Sequence, residues 1–261
     1  MRFRNLLMAA LASGAGLVAG PVAAQQEPTV VLVHGAFAES NSWNGVIKDL
    51  EADGYTVVGA ANPLRSVKGD AGYISSILSG IKGPVVLVGH SYGGSVISSA
   101  ANGHDNVKAL VYVAAFAPDA GETAVDLSNK FPGSTLAPTL APPVDLPDGG
   151  HDLYIQQAKF RNQFAADVPK AEAKLMAAGQ RPITEAALKE PAGAPAWKEK
   201  PSWFVYGDAD KNIPPAAQAW VAKRAGSRQT VVVKGASHVV MVSHPDTVAR
   251  LIEKAAVATG Q

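Results

Sequence analysis

Ser91 stands in Gly89-His90-Ser91-Tyr92-Gly93-Gly94, directly after the apolar run Pro84–Val88 and directly before a helical stretch, Tyr92–Asn102. A G-x-S-x-G pattern is weak by itself, but a tight strand-to-helix turn is what lifts a serine hydroxyl above a sheet. Gly89, Gly93 and Gly94 leave room for that turn, and a helix N-terminus favours a developing negative charge beside it. The pattern predicts Ser91 as a nucleophile; the plain alternative is a serine in a Gly-rich turn.

A serine hydroxyl needs a base at neutral pH. Of the six histidines, His34 and His90 flank turns and should shape the site by hydrogen bonding. His104 and His151 read as surface residues, and His244 as an outward residue at a helix start. His238, in Gly235-Ala236-Ser237-His238, follows the last strand-like run, so it belongs to the edge that carries Ser91. The imidazole in turn needs an acid to fix its tautomer. Asp208, Asp210 and Asp119 all lie beyond strand ends on that edge, and position alone does not separate Asp208 from Asp210. An oxyanion needs N–H donors: the backbone of Tyr92 is one, and the turn His34-Gly35-Ala36-Phe37 can supply Ala36 as another.

The elements that must position these residues are legible as runs. Thr29–Val33, Tyr55–Val58, Pro84–Val88, Val107–Val113, Ser202–Tyr206 and Gln229–Val233 are continuous apolar or β-branched runs, as strands buried on both faces require. Helical stretches at about 42–52, 70–81, 92–102, 215–225 and 243–258 alternate with them. Ser243 and Asp246 suggest a capping box ahead of the last helix. This alternation predicts an α/β fold: a doubly wound, mostly parallel sheet of about six strands with helices on both faces. Residues 118–200 carry no strand-like run and show helical patches at 151–165, 169–178 and 184–190. They predict a partly helical cap inserted between the fourth and fifth strands.

Composition bounds the rest. Of 261 residues, 47% are apolar and 17% charged, with 23 Lys+Arg against 22 Asp+Glu and no Cys. That excludes a disordered chain and gives no electrostatic footprint for nucleic acid. It also excludes a thiolate nucleophile and Cys-ligated zinc. Arg2 and Arg4, an apolar run of about 15 residues and Val22-Ala23-Ala24 describe a signal peptide, too short for a membrane span of roughly 20. Residues 1–24 are expected to be removed on export to a periplasmic or secreted location, with residues 25–261 forming one domain. That segment holds two arginines and no acid, so the remainder carries 21 basic against 22 acidic residues. No His-x-x-x-His, G-x-G-x-x-G or phosphate loop occurs, so no metal or cofactor is expected.

Taken in order, His34-Gly35-Ala36-Phe37, the turn Gly89–Gly94, Gly207-x-x-Asp210 and Gly235-x-x-His238 resemble the α/β-hydrolase superfamily over nearly all of the chain after residue 24. Ala114-Ala115-Phe116-Ala117-Pro118-Asp119 looks like its branch of small esterases, plant methylesterases and hydroxynitrile lyases. The resemblance implies a Ser91–Asp210–His238 triad, favours Asp210 over Asp208, and places the oxyanion donors at Ala36 and Tyr92. Relatives that are haloalkane dehalogenases or epoxide hydrolases carry Asp at the Ser91 position, and dienelactone hydrolases carry Cys. Hydroxynitrile lyases carry Lys where this chain has Val239. The expected activity is hydrolysis of small or medium neutral carboxylic esters. Lactonase, C–C hydrolase or cofactor-free perhydrolase chemistry, or ligand binding with little turnover, are the alternatives. His34, Phe37, Phe131, Tyr154 and Trp197 are the candidate pocket residues, and Leu136, Leu140, Leu153, Phe160 and Phe164 are further apolar residues of the cap. The expected partner is a small-molecule ester, with no nucleic acid and no stable membrane span once residues 1–24 are removed.

Overall fold

A computed structural model describes residues 27–259; the expected signal peptide, residues 1–24, lies outside the described residues. Strands β1 (Thr29–Val33), β2 (Val57–Ala60), β3 (Val85–His90) and β4 (Val107–Val113) alternate with helices α1 (Asn44–Ala52), α2 (Val67–Ser79) and α3 (Tyr92–Ala100). The chain then leaves the sheet and forms α4 (Ala124–Asn129), β5 (Val144–Asp145), β6 (His151–Leu153), α5 (Gln157–Phe164), α6 (Lys170–Ala178), β7 (Ile183–Thr184) and α7 (Glu185–Lys189). It returns through β8 (Ser202–Gly207), α8 (Pro215–Arg224), β9 (Gln229–Val233), the single turn α9 (Val240–Ser243) and α10 (Pro245–Thr259).

The main sheet is six-stranded and parallel, in the order β2-β1-β3-β4-β8-β9. This is the expected doubly wound architecture. Every residue of β3 and β8 is buried, as helices on both faces require. The edge strands pay for their position in composition: β9 alternates half-buried and exposed residues. The order reverses between β1 and β3, and register pairs Val33 with Gly89 and His90 with Val113. The loops after β1, β3 and β4 therefore open at one edge, where the switch in strand order leaves a crevice.

Residues 118–200 differ from expectation in two respects. Three short strands, β5, β6 and β7, pair antiparallel into a second sheet, and His151–Leu153 is strand rather than helix. Runs of two or three residues are too short to show a period, so pairing rather than pattern creates them. Helix α4 was equally invisible in the apolar pattern. Thr123 and Asp126 form its reciprocal capping box. The box expected at Ser243 and Asp246 does not form. Ser243 closes α9 instead, α10 starts at Pro245, and Asp246 pairs with Arg250 at 2.8 Å.

Arg65 ties this inserted segment to the main domain. Its guanidinium lies 2.7 Å from Asp152 of β6 and donates to Pro182 O, while Thr184 Oγ1 donates to Arg65 O. No described helix is long and apolar enough to cross a membrane.

Two glycines distinguish close approach from open space. A Cβ at Gly207 would lie 2.0 Å from Ala236 O, whereas one at Gly72 in α2 would meet nothing within 4 Å. In urea unfolding, Gly207→Ala should lose on the order of 1–3 kcal/mol by overpacking. Gly72→Ala should gain about 0.5–1 kcal/mol through helix propensity. An unchanged midpoint for Gly207→Ala would contradict the close approach.

Candidate active site

β3 delivers Ser91 into a sharp turn at φ 54° and ψ −122°, and α3 starts at the next residue. Three backbone bonds hold it: Ser91 N–H donates to Val113 O at 3.2 Å, and Ser91 O accepts from Gly94 N–H at 2.9 Å and Phe116 N–H at 3.1 Å. Neighbouring chain approaches to distances that exclude side chains. A Cβ would lie 2.1 Å from Phe116 O at Gly94, and 2.6 Å from Ser91 Cβ at Gly35. Ser91 Oγ makes no hydrogen bond among the described residues and borders a cavity of about 210 Å³.

His238 and Asp210 meet in the loops after β9 and β8. His238 Nδ1 lies 2.7 Å from Asp210 Oδ2, with both side chains buried. Asp210 also accepts from the Asn212 and Ile213 N–H groups through Oδ1, and from Gln218 Nε2 through Oδ2. With Nδ1 donating to the carboxylate, Nε2 is the basic nitrogen of His238. Asp208, the rival acid, accepts instead from Gly235 N–H at 2.6 Å and braces the loop. Asp119 is away from the imidazole, paired with Lys198.

His90 lies against His238, with ring centroids 4.8 Å apart and its Nε2 3.2 Å from His238 O. Burial pushes its pKa well below the usual histidine range, and a charge on His238 would push it further. The neutral imidazole therefore donates to the carbonyl, which leaves the buried Nδ1 without a partner among the described residues. His34 also stays neutral because burial lowers its pKa. Its Nε2 accepts from Asn62 N–H at 3.0 Å, and Asn62 Nδ2 donates to His34 O at 2.9 Å. This clamp sets the turn that presents Ala36. Neither Ala36 N–H nor Tyr92 N–H has a backbone partner among the described residues, while Phe37 N–H is taken by Arg181 O. The Tyr92 hydroxyl donates to buried Asp70 at 2.9 Å. Burial holds the Asp70 carboxyl above its usual range, against bonds from Arg65 N–H and Tyr92.

Ala36, Ser91 and Tyr92 line the same cavity, with walls that include Phe37, Phe116, Leu136, Leu140 and Ile213. Among the described residues no charged side chain lines it. Of the five candidate pocket residues, Phe37 alone is in this lining. His34 is buried in the Asn62 clamp. Phe131 packs on Trp220, and Trp197 lies beneath Arg224 with its Nε1 bonded to Pro118 O. Tyr154 is half-buried beside β6, and its carbonyl accepts from Ala141 N–H. Of the other cap residues, Leu136 and Leu140 are in the wall, whereas Phe160 and Phe164 are buried, with Phe164 5.1 Å from the His238 ring.

Residue type and spacing carry no signal for Asn62, Gln218 or Asp167, yet each holds a piece of the site. Asp167 accepts from Ser237 N–H and Ser237 Oγ, next to His238. Burial opposes its ionised form, but these bonds hold its pKa below the usual carboxylate range. Of the remaining histidines, His104 bonds Ser75 Oγ, His151 is exposed beside Asp145, and His244 lies 3.5 Å from Asp167. Among the described residues no group of three acidic or histidine side chains is placed to hold a metal ion.

Known proteins share this arrangement of elements. The fold is similar to that of polyneuridine aldehyde esterase, with a TM-score of 0.76 at 18% identity over 88% of this chain and 99% of that one. It is also similar to that of a methylesterase from Arabidopsis, with a TM-score of 0.72 at 19% identity over 88% of this chain and 99% of that one. In sequence, the chain is 30% identical to a pyrethroid hydrolase of Sphingobium wenxiniae over 85% of each chain. It is 26% identical to an alpha/beta hydrolase of Aspergillus novofumigatus over 88% of this chain and 97% of the other. Residues 30–251 match the model of the alpha/beta hydrolase family, and the chain belongs to that family.

Proposed function

We propose that this protein hydrolyses carboxylic esters of small or medium neutral substrates through an acyl-enzyme on Ser91. The observation that carries the reading is one cavity, without a charged wall residue, bordered by a strained serine and by two residues whose N–H groups are unspent. Relatives named as esterase, methylesterase and pyrethroid hydrolase support ester cleavage.

In this reading Ser91 Oγ attacks the ester carbonyl while His238 Nε2 takes its proton. The carbonyl oxygen becomes an oxyanion, held by Ala36 N–H and Tyr92 N–H at the start of α3. His238, now charged, is stabilised by Asp210 at 2.7 Å and protonates the departing alcohol. Water then attacks the acyl-enzyme by the same steps in reverse roles, giving the carboxylic acid and free Ser91. Two N–H groups and Gln218 bond the Asp210 carboxyl in place of water and hold it against His238. Residues 1–24 direct export in the same reading. The exported protein should begin at Gln25 by intact mass, and a retained Met1 would overturn that part.

Two measurements test the chemistry. A fluorophosphonate should add its mass to the peptide holding Ser91, and Ser91→Ala should lose both this adduct and hydrolysis of 4-nitrophenyl butyrate. Equal hydrolysis by wild type and Ser91→Ala would overturn the assignment. Asp210→Asn should lower kcat on the order of 10⁴-fold by presenting the wrong tautomer partner to His238. Asp208→Asn should cost far less, because Asp208 only braces Gly235. The reverse ranking would exchange the two acids.

A further inference from the structure

One wall residue of the cavity has a hydrogen-bonding edge that neither the catalytic steps nor the fold uses. Asn212 is 4% exposed, two residues after Asp210. The orientation of its amide is fixed by the cap. Gln163, also buried, places Nε2 2.9 Å from Lys211 O, a group that can only accept. Its Oε1 correspondingly accepts from Thr135 Oγ1 at 2.9 Å. The second Nε2 hydrogen reaches the Asn212 side chain at 2.6 Å, which must therefore present Oδ1. A flipped Asn212 would set two donors against each other. Its Nδ2 is thus turned away from Gln163, has no hydrogen bond among the described residues, and is the edge left to the cavity that Asn212 lines.

The surroundings make this donor selective. Phe116, Leu136, Leu140 and Ile213 make the wall largely apolar. The other polar wall residues outside the catalytic set, Ser128, Ser134 and Asn129, are half-buried or exposed. A buried N–H that no protein group satisfies is costly when an apolar substrate excludes water, and the cost disappears when the substrate offers an oxygen. A site built to bond a polar group rejects the analogue that lacks it.

We propose that Asn212 is a specificity-determining donor: its Nδ2–H recognises a second acceptor oxygen, of keto or ether type, that the substrate carries apart from the ester cleaved. This rests on the esterase reading above. The substrate class narrows accordingly, from neutral esters in general to oxygenated ones.

Matched ester pairs test it, because damage to folding or to the triad lowers both members alike. One pair varies the acyl side, 4-nitrophenyl 5-oxohexanoate against 4-nitrophenyl hexanoate. The other varies the alcohol side, 2-methoxyethyl butyrate against butyl butyrate. Wild type should favour the oxygenated member of at least one pair by about tenfold in kcat/KM. Asn212→Leu should bring that ratio close to one. Gln163→Met, which frees the amide to rotate without removing it, should lower the ratio in part and serves if Asn212→Leu does not fold. Turnover of both members without discrimination, or a ratio that survives Asn212→Leu, overturns the proposal alone. No turnover of any of the four esters overturns the esterase reading and the proposal with it.

Discussion

The backbone of Ser91, at φ 54° and ψ −122°, occupies a region that L-residues enter at a cost of order 1–3 kcal/mol. Such a conformation persists only where its surroundings over-determine it. Here both polar backbone atoms of Ser91 are engaged, by Gly94 of the same turn and by Val113 and Phe116, which the β3–β4 register brings alongside. The close approaches at Gly35, Gly93 and Gly94 press the turns after β1 and β4 onto the same point. The sheet thus does more than carry a serine to its edge. Its strand order brings the β1 turn beside the β3 turn, and that proximity places Ala36 and Tyr92 at one cavity.

A second constraint is burial of charge. Asp210 is 4% exposed and His238 1%, and a carboxylate in such a place must be fully bonded. Four donors meet it: two backbone N–H groups, Gln218 and His238. His90 works from the opposite side. Its neutral ring fixes His238 O without adding a charge that would compete with Asp210. A cation at position 90 would repel the imidazolium that the proposed mechanism forms.

Much of this was legible in the sequence because long-range order leaves local traces. Six β-branched runs at strand length predicted the six strands of the main sheet, and a turn motif between run and helix marked Ser91. What stayed hidden depends on pairing and on side-chain direction. β5, β6 and β7 have two or three residues each, below any period. Asp208 and Asp210 are two apart on one loop, and only the turn's geometry decides which reaches His238. Phe131 and Trp197 have the composition of pocket residues, but Lys130 and Arg224 claim their neighbourhood through cation–π contacts with Trp220 and Trp197. Leu136 and Leu140, less conspicuous, form the wall.

The inserted segment illustrates why pocket and chemistry are hard to separate in such a fold. Its polar ties end beside the residues that the proposed mechanism uses. Gln163 bonds Asn212, which bonds Asp210; Asp167 bonds Ser237, which precedes His238; and Arg181 O receives the N–H of Phe37, which follows Ala36. Arg65 continues the pattern, joining Asp152 of the segment to Asp70 and so to the Tyr92 hydroxyl. A roof held only by apolar packing could be exchanged without disturbing the loops below. This one adds hydrogen bonds to those loops, so the segment that walls the cavity also steadies the loops that carry Ala36, Asp210 and His238. Under the proposed mechanism, loss of a tie at Gln163, Asp167 or Arg181 should therefore alter KM and kcat together, and a separable change in specificity has to come from a side chain whose bonds stop short of the triad, as the free edge of Asn212 does.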